Sequence, residues 1–420
     1  MQIPKRITID AHNDTLMKIT CEQTGECTED LGKLTQLDVD LVKMVSGDVN
    51  VAMFAAFTED FSNTYLNNNR LLAMMRVLEQ TAAQNSEVMT KVNTKEELIN
   101  ALSANKHMAI QTIEGAYGID ASNYKALLRQ YLDLGVRMIT LVWNHSNALG
   151  EGMLKTTVDG IPSQGGLTTL GKQVVAEMEQ MDIFVDVSHM DEETFWSTFN
   201  TATKPLIASH SGAYALKAHA RNLKDDQLKA IAETGGVINV VFCQYFLGDE
   251  TADVEVLLDH IHHIVQVAGI DHVGLGSDFD GATMPNGLND MSDVPLIAKG
   301  LLRRGYDEAA VNQIMGGNMF RLLSAHMPGD KAQQPTCMRH QLKVIGKTVT
   351  ASIVHENIEN IRCYVNGIAQ SFHTADQGRT LSCTIEPVEN AAFYAVTFAY
   401  DTVDKHAYRL TDVIKINADI

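Results

Sequence analysis

Short apolar runs alternate with longer amphipathic stretches along most of this chain, and that alternation limits the folds open to it. The runs cover 7–10, 49–57, 107–113, 136–142, 183–187, 205–208, 236–242 and 273–276. Helical periodicity occupies 65–84, 124–134, 169–181, 192–201, 225–234 and 253–268, then 294–304 and 307–326 after the last run. Strands buried on both faces read as unbroken apolar segments, and strands that alternate with helices pair in parallel. Eight such units over roughly 325 residues fit a (β/α)8 barrel of the TIM type with insertions. A doubly wound open sheet is the other arrangement the pattern allows. Asp191 and Asp225 stand where helices are expected to begin, and Gly135, Gly235 and Gly269 where they are expected to end. The stretch between the first two runs is long and irregular, so its crossover is the least defined.

Composition changes near residue 330. The segment 329–335 (GDKAQQP) reads as a linker. Beyond it, alternating and β-branched runs at 342–353, 361–365, 380–385, 394–400 and 406–416 predict a small β-sandwich. The division expected is a barrel over 1–330 and an accessory domain over 336–420.

A formal charge of -19 disfavours nucleic acid and anionic membrane surfaces as partners, because both require a basic face. The six cysteines form no CxxC pair, and Cys21 and Cys27 read as free thiols. No apolar run reaches the eighteen or so residues of a membrane helix. A strand-like segment near Ile7 leaves no room for a signal peptide, and 413–420 lacks the pattern of a lipid-anchor signal. The expectation is a soluble, cytoplasmic protein.

Polar residues gather where the runs end. Asp10, His12 and Asp14 close the first, Glu114 the third, and Asn144 and His145 the fourth. Ser188 and His189 follow the fifth, Ser209 and His210 the sixth, Asp278 and Asp280 the eighth. In a parallel barrel these positions converge on the C-terminal mouth, where such folds carry their active sites. Residues i and i+2 of a strand share a face, so His12 and Asp14 can grip one cation. His189 and His210 can offer nitrogens to a second, and the two oxygens of Glu114 can bridge the pair. Imidazole and carboxylate without thiolate suit zinc, with manganese or cobalt as substitutes. Taken alone, Arg221 reads as a surface partner of Asp225 or Asp226, and His260 and His263 as packed or solvated residues of one helix.

Seven stretches carry a resemblance: DAHNDTL (10–16), TIEG (112–115), LVWNHSN (141–147), VDVSHM (185–190), IASHSGA (207–213), ARNLKDDQL (220–228) and GLGSDFDG (274–281). In this order, across residues 7 to about 326, they resemble the renal (membrane) dipeptidase family, a branch of the amidohydrolase-like metal-dependent hydrolases. The resemblance implies a zinc-dependent dipeptidase acting on L–L and L–D dipeptides through a metal-bridged hydroxide. It implies that His12, Asp14 and Glu114 hold one zinc and that Glu114, His189 and His210 hold the other. It further implies that His145 faces the scissile carbonyl, Arg221 takes the substrate carboxylate, Asp278 handles protons and Tyr245 lines the pocket. An amidase or deacylase acting on N-acyl amino acids or cyclic amides is the alternative within the same chemistry. A non-catalytic barrel is the reading from another class, opposed by the full set of ligand types. The partners expected are small dipeptides, with a homodimer as the assembly to test. The chain departs from the family in having a β-rich tail and no sign of the animal enzymes' disulfide or lipid anchor.

Overall fold

The computed structural model describes residues 6–59, 64–157, 160, 165–329, 336–338, 342–355, 358–402 and 406–416. Nine strands make the first sheet: β1 (Ile9–Asn13), β2 (Val51–Phe57), β3 (Met89–Lys91), β4 (His107–Glu114), β5 (Val136–Thr140), β6 (Phe184–Asp186), β7 (Ile207–Ser211), β8 (Val237–Val240) and β9 (Val273–Leu275). All pair in parallel in the order β2-β1-β9-β8-β7-β6-β5-β4, and β2 also pairs with β4, so eight of them close a ring. Each of the eight apolar runs contains or overlaps one of these strands, and the open-sheet alternative is excluded by the closure.

The runs are mostly apolar because both faces of each strand are covered. In β2, Ala52, Phe54 and Ala56 pack outward with Leu71, Leu72 and Met75 of the helix Thr64–Gln84. The alternate residues Val51 and Met53 meet Met108, Met138, Ile207 and Val237 from other strands. That second cluster is the barrel's packed interior. Helix ends follow local chemistry. The Asp191 carboxylate accepts from the backbone N–H groups of Glu193 and Thr194 and so caps its helix. Gly269 ends the helix Val254–Ala268 with φ 91°, a conformation that costs a residue with a Cβ. The cap expected at Asp225 falls one residue earlier: Lys224 is the N-cap, and its N–H is bound by the Gln227 side chain.

Several short elements escaped the periodicity. β3 runs beside the start of β4, and the helix Lys95–Ser103 follows it. A three-residue strand is too short to show any period. In the irregular first crossover lie two short helices, Thr15–Ile19 and Leu41–Ser46.

The tail folds into two antiparallel-rich sheets. One holds β10 (Thr336–Met338), β13 (Ile358–Val365), β14 (Ile368–Ala369), β17 (Phe393–Thr402) and β18 (Ala407–Lys415); the other holds β11 (Leu342–Ile345), β12 (Thr348–Ser352), β15 (His373–Ala375) and β16 (Thr380–Thr384). The single run expected over 342–353 is a hairpin turning at Gly346. Between the sheets lie Val349, Leu381, Cys383, Val396, Phe398 and Leu410. β17 is buried nearly throughout because its faces serve two cores: Tyr394, Val396 and Phe398 point into the sandwich, while Phe393 and Ala395 pack with the barrel's helices. Asn69 and Gln130 reach across to bind backbone groups of Ala392, Phe393 and Ala395. Apart from Gly329, the expected linker lies outside the described residues. No described helix is long and apolar enough to cross a membrane.

Candidate metal centre

The barrel brings His12, Asp14, Glu114, His189, His210 and Asp278 into one buried cluster. His12 projects from β1, Glu114 closes β4 and His210 lies within β7, while His189 and Asp278 follow β6 and β9. Beyond the strands the backbones of the first and last units stay paired: Asp278 N–H donates to His12 O at 3.0 Å, and Asp14 N–H donates to Phe279 O at 2.9 Å. His189 and Asp278 both adopt left-handed backbone conformations, with φ 66° and 65°. Such strain in residues with a Cβ gathers where a site demands a particular side-chain direction.

Glu114 stands at the centre. Its Oε2 lies 3.5 Å from His12 Nε2. Its Oε1 lies 2.8 Å from His189 Nε2 and 3.5 Å from His210 Nε2. His12 Nε2 is also 3.7 Å from Asp14 Oδ2 and 3.8 Å from Asp278 Oδ1. Two overlapping sets, His12–Glu114–His210 and His12–Asp14–Asp278, each bring their ligand atoms within 4.8 Å of one another. Asp14 lies one residue past the strand, at the head of the helix Thr15–Ile19, yet its side chain makes no capping bond. Its Oδ1 and His12 Nε2 are buried without a hydrogen-bond partner. Buried polar atoms left unpaired are costly, and a divalent cation among them would satisfy both. Gly281 keeps the space open, since a Cβ there would fall 2.1 Å from Asp14 Oδ2 and 2.7 Å from Asp278 Oδ1.

The electrostatics point the same way. Burial raises the pKa of Asp14, with Glu114 adding to it, and burial with the nearby Asp14 carries Asp278 well above the carboxylate range. Burial disfavours the His12 imidazolium, but the nearby negative charges of Glu114 and Asp14 outweigh it and raise this pKa well above the histidine range. Burial also acts against the Glu114 carboxylate, yet His12, His189 and His210 hold it ionised. Burial and then Arg221 lower His189 to about 4, and burial and then His12 take His210 lower than is usual. Both are therefore neutral rings with lone pairs to offer. Three carboxyl groups crowded together need positive charge beside them.

Arg221 is buried beside this cluster and not on the surface. Its Nη2 donates to His210 O at 3.1 Å, its guanidinium lies 5.4 Å from the Phe246 ring centre, and its Nε has no partner. A cleft of about 290 Å³ opens over His189 and Arg221, walled by Met153, Met190, Ser211 and Tyr214 among others. A larger cavity of about 450 Å³ lies between the barrel and the C-terminal sheets, but none of the clustered imidazoles and carboxylates lines it. His145 Nδ1 is buried without a partner, while its backbone oxygen accepts from Tyr117 Oη at 2.6 Å. Tyr245 is 52% exposed on the helix Gln244–Leu247 and stands outside the wall of the smaller cleft. His260 is fully buried and bonded at both nitrogens, and Asp280 binds Thr15 Oγ1 and Asp38 N–H.

The groups behind the ligands stand among the polar residues at the strand ends, but the sequence gives them no role. Asp10 accepts from Ser277 N–H at 2.8 Å and from Ser277 Oγ at 3.0 Å, joining β1 to the turn after β9. Asp186, Ser209 and Asn144 stand behind His210 and His189. Tyr214 was also missed. Except for Tyr214, all lie inside the motifs quoted above. The usable signal was a polar side chain within a few residues of a ligand on an otherwise apolar strand.

The sequence profile of the membrane dipeptidase family, peptidase family M19, matches residues 3–334. A protein of Schizosaccharomyces pombe named as an uncharacterised dipeptidase is 34% identical over 332 residues, covering 75% of this chain and 79% of its own. The solved structure of dipeptidase AC, an M19 metallopeptidase, superposes with a TM-score of 0.67 at 28% identity, over 77% of this chain and 99% of that one. A metallopeptidase of Rhodobacter sphaeroides, solved with a phosphinate mimic of the dipeptide L-Ala-D-Ala, gives 0.67 at 26% identity, over 77% of this chain and 100% of that one. The barrel, the cluster of imidazoles and carboxylates and these matches agree: the chain belongs to the membrane dipeptidase family of metallopeptidases.

Proposed function

We propose that this metallo-dipeptidase uses two zinc ions to split dipeptides of both the L–L and the L–D kind. The observation that carries the reading is the splay of Glu114, which turns one oxygen toward His12 and the other toward His189 and His210. His12, Asp14 and Glu114 would hold one ion, and Glu114, His189 and His210 the other, with manganese and cobalt as substitutes. Such a pair would supply Lewis-acid chemistry, lowering the pKa of water in the site and polarising the scissile carbonyl.

The chain's own groups do the rest. Asp278 takes a proton from the attacking water on its carboxylate and delivers it to the leaving amine, a role supported by its place 3.8 Å from His12 Nε2 within the cluster. His145 donates to the carbonyl oxygen as negative charge grows there, and its unpaired ring nitrogen supports this. Arg221, with Nε free, forks onto the terminal carboxylate of the substrate and measures its length. The related enzyme that takes a mimic of L-Ala-D-Ala supports acceptance of a D-residue at the second position. Residues 1–330 carry the reaction and 336–420 form the accessory domain.

The test is a zinc-supplemented assay of L–L and L–D dipeptides beside tripeptides and N-acyl amino acids. Turnover of both dipeptide kinds, abolished by chelation and restored by zinc, is expected. Preference for N-acyl amino acids would overturn the dipeptide assignment.

A further inference from the structure

The two imidazoles beside Glu114 are held from behind by groups that the reaction does not use. Ser209 Oγ lies 2.8 Å from His210 Nδ1 and 2.5 Å from Asp186 Oδ2. Asp186 is fully buried, and its Oδ1 accepts from the N–H groups of Ser188 at 3.0 Å and Ser209 at 2.9 Å. Its Oδ2 accepts from Thr140 Oγ1 at 2.5 Å as well as from Ser209. A carboxylate offers only lone pairs, so the Ser209 hydroxyl proton turns toward Asp186. The Ser209 oxygen is then an acceptor for the proton on His210 Nδ1. The other ring is treated alike: Asn144 Oδ1 stands 3.0 Å from His189 Nδ1 and accepts its proton.

With hydrogen on both Nδ1 atoms, each Nε2 carries a lone pair. These two nitrogens face one another at 3.0 Å, with Glu114 Oε1 close to both. Two lone pairs and a carboxylate oxygen repel each other at that range unless a cation lies among them. Ligand atoms of a tetrahedral zinc at about 2.0–2.1 Å stand about 3.3 Å apart, a spacing that these atoms nearly have.

We propose that Asp186, acting through Ser209, and Asn144 are positioning residues that fix the tautomers of His210 and His189 and keep both Nε2 lone pairs aimed at one cation. The inference rests on the two-cation reading above. Partners of this kind commonly raise a ligand's affinity for its metal, and their loss costs roughly 10- to 100-fold.

The experiment titrates the metal-free protein with zinc against a chromophoric chelator. Ser209→Ala and Asn144→Ala are expected each to weaken one of two sites by roughly 10- to 100-fold and to leave the other unchanged. Ser209→Thr, which keeps the hydroxyl, restores tight binding. Thr140→Val removes the other hydroxyl on the same Asp186 oxygen but spares Ser209, so both sites keep wild-type affinity. In the metal-free state, nitrogen NMR of labelled histidines shows protonated Nδ1 in the wild type and mixed tautomers for one ring in Ser209→Ala. Unchanged affinities in Ser209→Ala and Asn144→Ala, or an equal loss in Thr140→Val, overturn the positioning role alone. Fewer than two tight zincs in the wild type overturns the two-cation reading itself.

Discussion

Arg409, on the last strand of the C-terminal domain, grips Asp133 of the barrel with two parallel bonds: Nε to Oδ2 at 2.8 Å and Nη2 to Oδ1 at 2.7 Å. Thr411 Oγ1 adds a third at 2.9 Å, and the Asp133 side chain is 2% exposed. Removing one member of a buried pair strands the other, at about 3–5 kcal/mol. Asp133→Ala is therefore expected to lower the first urea transition by about that amount. Replacing both, as Asp133→Leu with Arg409→Met, should recover most of it. A wild-type transition in Asp133→Ala would show that the docking does not depend on this pair.

Glu114→Gln keeps the shape of the side chain and removes its charge. With the carboxylate that stands beside all three imidazoles gone, zinc measured by elemental analysis after dialysis should drop to about one per chain or fewer, with most of the rate. Two zincs retained would refute the bridge.

Arg221→Ala should reduce kcat/KM for dipeptides by about 100-fold or more, since a buried charged contact carries ~3 kcal/mol. Dipeptide amides, which lack the carboxylate, should lose little. Arg221→Lys should rescue only part, because an ammonium lacks the planar fork. An equal loss on acids and amides would count against the clamp.

His260 offers a test of stability against pH. Its Nδ1 accepts from Ala213 N–H and its Nε2 donates to Leu247 O, each at 3.0 Å, so the folded state needs the neutral ring. Burial lowers its pKa to about 4, against about 6.5 unfolded. The unfolded chain thus binds more protons between these values. The contribution, about 3 kcal/mol, is complete above about pH 6.5 and fades as pH falls toward 4. Urea unfolding of metal-free wild type and His260→Leu should show a stability gap that narrows over this window. A gap independent of pH would contradict the buried neutral ring.

The barrel was legible because strands covered on both faces are mostly apolar until they reach the mouth, with few polar residues such as Gln111 and Asn239 between. The six clustered ligand candidates were legible for the same reason: on such strands a His or Asp at the end stands out. β3 was not, since Met89–Lys91 is too short for a pattern. Arg221 illustrates another limit, as nothing in its neighbours distinguishes a buried fork from a surface partner of Asp225. The second face of β17 was equally hidden, because Phe393 and Ala395 look like sandwich residues until the barrel helices meet them. Ser209 and Asp186 were visible as residues but mute as partners, since hydrogen-bond geometry between strands is not written in either strand alone.

The bond between Asp10 and Ser277 spans 267 positions of sequence, and this fixes an order of events during synthesis. As the chain leaves the ribosome, β1 emerges long before β9, and one of its edges stays open until β9 arrives. Until then the barrel is a curled sheet with two bare margins, the state most exposed to mispairing and in need of chaperoning. His12 and Asp278 meet only when that seam shuts. A fragment ending before Ser277 keeps His12 but lacks both the seam and Asp278, and is expected to hold zinc more weakly than the whole chain, as a zinc titration of the two would show.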